Sequence, residues 1–228
     1  MNHNFYDKNK ILKPWGEEHV IFRDKNNLCI TLLKIKKNFS TSLHCHPIKK
    51  TGFILLEGSA DIQLGLYKSN IEKFKSPSKL MIRTGLFHSI TSKTSPYLIA
   101  LEFETPAKKN DLVRFDDKYG RELKAYEGSK SSIKLNNKDI QIKKPIKNGS
   151  TIFKSNKVKA NIVRLKNLNK IKQFSKNDIF AVISGKLCDK FNRNILAQGD
   201  IIKTGTLIKL SEKFKVKKEL VFLKVSKI

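Results

Sequence analysis

The stretch "TSLHCHPIKKTGFILLEGSADI", residues 41–62, sets His44 and His46 one residue apart in a run that otherwise reads as β-strand. Successive strand side chains point to opposite faces, so the two imidazoles project together and Cys45 points away. A lone buried histidine is most often a satisfied core residue. Two on one face, with a third histidine in a later strand, ask for something to bind. His88 supplies the third. Imidazole is the commonest protein ligand for transition metals, and three from two strands can take one face of an ion and leave other positions open.

Outward from this stretch the chain reads as strands. Residues 28–37, 52–58, 60–67, 79–83, 87–93 and 97–104 are short, β-branched or aromatic-rich, and separated by Gly, Pro, Ser and Asn. Ile62, Leu64 and Leu66 alternate onto one face. Helical periodicity is weak throughout. Many short strands with turn signals between them predict an all-β sandwich or barrel.

The chain has 228 residues, 39% of them hydrophobic, enough for a real core. No run approaches the roughly 18 apolar residues of a membrane helix, and "MNHNFYDKNK" lacks the apolar centre of a signal peptide, so a cytoplasmic protein is expected. Cys29, Cys45 and Cys188 show no C-x-x-C spacing and suggest neither a disulfide framework nor a zinc knuckle. The net charge is +27, but only six of the 47 basic residues are arginine. Arginine is preferred for specific phosphate and base contacts. Scattered lysine, with abundant asparagine and isoleucine, reads as compositional bias, so neither a nucleic acid nor a membrane is expected as partner.

Residues 128–149 are polar and Lys-, Asn- and Ser-rich, and read as a linker with one short strand at "DIQIKK" (139–144). After it the pattern restarts. "LMIRTGLFHSITS" (80–92) is echoed by "DIIKTGTLIKLSE" (200–212), "LEGSA" (56–60) by "ISGKL" (183–187) and "YLIALEF" (97–103) by "ELVFLKV" (219–225). Three echoes in one order predict an internal duplication, with domains at 1–127 and 150–228. His88 then aligns with Ile208, and His44 and His46 fall near Ile171 and Gln173. Only the first copy carries the histidines.

Those histidines resemble the motifs of the cupin superfamily, G-x5-H-x-H-x3,4-E-x6-G and G-x5-P-x-G-x2-H-x3-N. "HCHPIKKTGFILLEG" matches at His44, His46 and Gly58; "RTGLFHSITS" matches at Gly85 and His88. Arg83 stands for the usual proline, and Thr91 or Ser92 for the asparagine. The motif glutamate falls on Thr51, which has no carboxylate. The resemblance covers residues 12–105. It implies a double-stranded β-helix barrel, followed by a second, degenerate cupin-like barrel that keeps "GD" (199–200) and Gly205. It further implies a divalent metal, Zn or Fe, held by His44, His46 and His88. Glu102 and Glu104 share one strand face and are candidates for a substitute carboxylate.

"KPWGEE" (13–18) and "DLVRFDDKYGRELKAYE" (111–127) look like segments of the cupins similar to mannose-6-phosphate isomerase, including small ones associated with surface-polysaccharide synthesis. That resemblance implies an isomerase-like enzyme and a small-molecule substrate such as a sugar phosphate. Glu102 and Glu104, with Glu57, are candidates for the proton-transferring base. Lys49, Lys50, Arg83 and Arg114 are candidates for the substrate anion, with Arg121 as a second planar fork. Trp15 reads as a packing anchor, and 111–127 as a strap that packs Phe115, Tyr119 and Tyr126. A homodimer is expected. Two other functions remain open: an Fe²⁺-dependent three-histidine dioxygenase, and a non-catalytic binding cupin.

Overall fold

A computed structural model describes residues 3–25, 27–121 and 131–228. Tyr126 lies outside the described residues. The chain divides into two compact units, Met1–Gln141 and Ile142–Ile228.

The first unit is a jelly roll. Eight consecutive strands form it: β3 (Leu28–Lys36), β4 (Leu43–Cys45), β5 (Lys50–Glu57), β6 (Ser59–Leu64), β7 (Ile71–Lys75), β8 (Ser78–Ile82), β9 (His88–Ser92) and β10 (Tyr97–Thr105). They divide between two antiparallel sheets, ordered β3-β10-β5-β8 and β4-β9-β6-β7, and the chain changes sheet at every step except the β6–β7 hairpin. This is the double-stranded β-helix. A short helix α1 (His3–Lys8) leads into β1 (Asn9–Lys13), which with β2 (Gly16–Asp24) and β12 (Ser132–Lys134) widens the first sheet, and β11 (Val113–Asp116) edges the second.

Alternation fixes which side chains enter the barrel. Leu33 and Ile35 of β3, Phe53 and Leu55 of β5, and Leu98 and Ala100 of β10 build one core with Trp15, Ile62, Ile82 and Ile90. Trp15 is 4% exposed there, the packing anchor expected. The same inward parity runs on to Cys29 and Thr31, Thr51, and Glu102 and Glu104. Strand register sets Thr31 and Phe53 beside Glu102, and Cys29 and Thr51 beside Glu104. One end of the barrel is thus sealed by apolar side chains and the other is lined by polar ones.

Two local expectations change. "DIQIKK" forms no strand; the strand of that region is β12, which pairs with β1 because "SIK" alternates where 139–144 only turns and extends. The first unit therefore runs on through most of the segment read as linker. Leu66 does not continue the inward face of β6, since Gly65 turns the chain at φ +93° and leaves Leu66 exposed.

The second unit keeps one of the two sheets. Strands β13 (Thr151–Lys154), β14 (Val158–Leu165), β15 (Ile179–Cys188), β17 (Ile201–Lys203) and β18 (Lys215–Lys227) run in the order β13-β14-β18-β15, with β17 also on β15. That is the order β2-β3-β10-β5-β8 of the barrel. Of the other sheet only β16 (Asn194–Leu196), hairpinned to β15, has a counterpart. Helix α2 (Thr204–Ser211) replaces β9 and packs on a 3-10 turn at Ile171–Gln173. Ile171 and Leu207 are fully buried in this core, with Ile208 against it. Of the positions that echo the histidines, Ile171 and Ile208 are apolar contacts, and Gln173 is exposed. The echo of the glycines is physical: Gly58 and Gly185 have φ of +91° and +86°. A Cβ would lie 2.7 Å from Thr94 Oγ1 at the first and 1.9 Å from the Glu219 carbonyl oxygen at the second.

Candidate metal centre

Strands β4 and β9 are neighbours, with His44 directly opposite His88. His46 follows β4 with the same inward parity. The three imidazoles offer ligand atoms that all lie within 4.8 Å of one another. Their ring centroids are 4.5–5.4 Å apart.

Each ring is held by a backbone carbonyl on its Nδ1 side. His44 Nδ1 is 2.8 Å from the Ser42 oxygen, His46 Nδ1 2.6 Å from that of Asp111, and His88 Nδ1 3.0 Å from that of Leu86. A carbonyl only accepts, so each Nδ1 carries the proton and donates it. Each Nε2 is left with a lone pair. Nε2 of His46 and of His88 are buried with no hydrogen-bond partner. Buried polar atoms are normally satisfied, so two orphaned acceptors aimed into one cluster mark a site that fits a cation. Burial is the main reason all three rings resist protonation. His44 lies well below the ordinary value, with His88 and His46 adding repulsion. His46 is lowered to about 3 with Lys49 contributing, and His88 to about 4. Neutral imidazole is the form that binds metal.

The histidines open into a cavity with about 620 Å³ of empty space, solvent mouth included. Glu102, Glu104, Lys49, Arg114 and Arg121 line it, with Lys13, Glu18 and Lys109, which the sequence reading passed over. Arg83 is exposed beyond β8 and does not line it, because inward parity falls on Ile82 instead. Lys50 does not line it either; it precedes Thr51 and takes the outward parity of β5.

The two glutamates differ sharply. Glu104 is buried and ion-paired on both oxygens: Lys49 Nζ holds Oε1, and Lys109 Nζ lies 2.8 Å from Oε2. Burial would raise its carboxyl, but the Lys109 and Lys49 ammoniums outweigh burial and hold it below the usual carboxylate range. Thr51, where the motif carries glutamate, is directly opposite Glu104, and its hydroxyl is buried without a partner. The carboxylate missing from Thr51 thus stands one strand over, where it neutralises two lysines. Glu102 is pushed up to about 8, by burial first and then by the Glu104 carboxylate.

That shift carries a stability signature. Folded Glu102 keeps its proton to higher pH than the unfolded chain does. Between about pH 5 and pH 8 the folded state therefore binds more protons, and stability falls as pH rises, by at most about 1.4 kcal/mol per pH unit. Glu102→Gln is expected to remove this slope. Urea unfolding at several pH values checks it; parallel slopes in the two proteins would show that Glu102 titrates normally.

Residues after β10 brace the mouth. The Asp111 carboxylate accepts from the amides of Ile48 and Lys49, while its carbonyl orients His46. Arg114 donates to the Arg121 carbonyl, and Arg121 grips Asp117 with two bonds of 2.8 Å. Arg121 is therefore a brace more than a free fork. Tyr119 packs on the barrel core and donates to the Ser40 carbonyl. Phe115, expected to pack likewise, is 58% exposed and meets only the edge of Phe87 among the described rings.

No protein-family model matches the chain, and no curated protein matches it. Among solved structures, an uncharacterized conserved protein with a double-stranded β-helix domain from Klebsiella pneumoniae is 14% identical, over 44% of this chain and 79% of that one, with a TM-score of 0.39. KdgF from a Halomonas species is 10% identical over 46% and 93%, with a TM-score of 0.39. The capsular polysaccharide assembling protein CapF of Staphylococcus aureus is 13% identical over 47% of this chain and 31% of its own, with a TM-score of 0.41. By its own strand order, and by the histidine cluster at its open end, the first unit is a double-stranded β-helix, the fold that the resemblance to the cupins implied.

Proposed function

We propose that the first unit is a metal-dependent, cupin-type sugar-phosphate isomerase. The observation that carries this reading is the convergence of three neutral histidines, each tautomer fixed by a carbonyl, on a cavity that also holds Glu102. His44, His46 and His88 hold the ion. Bound there, a divalent metal supplies Lewis acidity toward a carbonyl and the hydroxyl beside it.

The remaining chemistry belongs to the chain. Glu102 moves the proton between the two carbons, since a carboxyl that titrates near the operating pH both accepts and returns it. Glu104 stays ionised and holds Lys49 and Lys109 at the cavity wall. Arg114 takes the anionic end of the substrate. The lining has five cations, Lys13, Lys49, Lys109, Arg114 and Arg121, against three carboxylates, Glu18, Glu102 and Glu104, which suits an anionic ligand.

The test is proton exchange. Metal-loaded protein, incubated with hexose and pentose phosphates in deuterated water, is expected to interconvert one aldose–ketose pair and to place deuterium on the migrating position. Glu102→Gln is expected to lower that rate by about 10²–10⁴ without loss of metal. If no sugar phosphate exchanges, the isomerase reading fails. Oxygen uptake by the Fe²⁺-loaded protein would move the site to the three-histidine dioxygenases.

A further inference from the structure

The charge is divided unequally between the two units. Residues 142–228 hold 20 lysines and two arginines against five carboxylates, a net +17; residues 1–141 hold 25 basic and 15 acidic residues, a net +10. Compositional bias toward lysine explains an excess in both halves. It does not explain acids that are depleted in one half only.

The fold then uses up most of the acids that remain. Asp178 pairs with Lys224, Asp189 with Arg193 and Glu219 with Arg164, and Asp200 accepts from the Ala197 amide. Eighteen of the 20 lysines of this unit are exposed.

Part of this charge gathers around the β15–β16 hairpin. Lys186 of β15 stands directly opposite Lys217 of β18, and Cys188 opposite Lys215. Like charges in direct cross-strand register destabilise a sheet, so nothing in folding favours this pair. Lys217 Nζ reaches Asn192 in the hairpin turn. At the tip stands Phe191, 66% exposed, with Lys190 Nζ 5.0 Å and the Arg193 guanidinium 5.3 Å from its ring centroid.

We propose that this hairpin docks the second unit on an anionic lipid surface, with Phe191 entering the interface and Lys186, Lys190 and Lys217 meeting the headgroups. No helix among the described residues is long and apolar enough to cross a membrane, and the docking proposed is at the surface. Basic residues beside a lone apolar side chain suit a bilayer surface, where lysines act as point charges and an exposed aromatic finds an apolar phase. A nucleic acid fits less well. Two arginines in the unit offer few bidentate forks, and cations lie over the one ring on which a base would stack.

Sedimentation of the full chain with phosphatidylcholine vesicles, with and without phosphatidylglycerol, tests this. Binding is expected only with phosphatidylglycerol and is lost at high salt. Lys217→Glu removes two units of charge from the surface and faces Lys186 with an opposite charge. It is expected to weaken vesicle binding about thirtyfold while the melting temperature holds or rises. Phe191→Ala is expected to weaken it by about tenfold or more. Absence of binding at low salt would overturn the proposal, as would binding indifferent to both variants. Retention on duplex DNA without retention on vesicles would replace it with a nucleic-acid surface.

Discussion

Glu104→Gln is expected to destabilise the protein by about 3–5 kcal/mol, more than any other single charge-removing change in the barrel. The amide keeps the shape of the side chain but removes the one charge that two lysines share. Lys49 and Lys109 have side chains only 2% and 5% exposed, so neither ammonium can turn to water. Two buried ammoniums would remain beside Cys29, Thr31 and Thr51, with only the more distant Glu18 and Glu102 to offset them. The native pairing raises Lys109, because Glu104 outweighs the opposing effect of burial. In Glu104→Gln that support is gone and Lys109 is expected to release its proton far more easily. Unfolding should therefore lose less stability at alkaline pH than at neutral pH when variant and wild type are compared. Lys109→Met in the same background should recover part of the loss, since one of the two orphaned charges goes with it. A destabilisation under about 1 kcal/mol would mean that water reaches the triad, and that the charges in the cavity wall are not fixed as described.

His88→Ala is expected to weaken divalent-metal binding by more than about a hundredfold, since even residues that only orient a ligand commonly contribute 10–100-fold. His88 stands across the strand pair from His44, and its Nε2 is one of the two orphaned buried acceptors within the histidine cluster. Its removal leaves two imidazoles on β4 and its extension with nothing facing them. Metal at about 100 times its dissociation constant should stabilise the wild type by about 2.7 kcal/mol, and this gain should vanish in the variant. His19→Gln is the control. His19 is also buried, but its Nε2 is 3.0 Å from the Ile140 carbonyl, away from the cluster. It should lower stability and leave metal affinity unchanged. Calorimetric titration with Zn²⁺ separates the two, and equal affinity in His88→Ala and wild type would remove the metal centre.

The local patterns of the chain determined a good deal. Runs of β-branched and aromatic residues between turn residues located β3, β5, β8, β9 and β10 to within two residues at each end, because such side chains suit a pleated, half-buried surface. The spacing of His44 and His46 gave their common face, and the strand position of His88 gave a third ring to meet them. Among the strands without so plain a pattern, β1, β2 and β7 are rich in charge: "GEEHVIFRD" in β2 hides its alternation behind Glu17 and Glu18. Helix α2 was equally hidden, since "TGTLIKLS" suits a strand until its partner sheet is absent.

Tertiary structure alone decided which polar groups share a wall. Glu102 and Glu104 are two residues apart on one face and looked equivalent. Lys109 reaches Glu104 from the segment after β10, and Lys49 from the turn before β5, so one carboxylate is clamped and the other is left to titrate. The carbonyls that orient the rings, from Ser42, Leu86 and Asp111, have no side-chain signature at all. Arg83 and Lys50 looked as suitable as Arg114, and only the turn after Ile82 and the parity of β5 excluded them. Sequence fixes periodicity because that depends on neighbours along the chain. Charge pairing and access depend on distances between residues that only the closed barrel brings together.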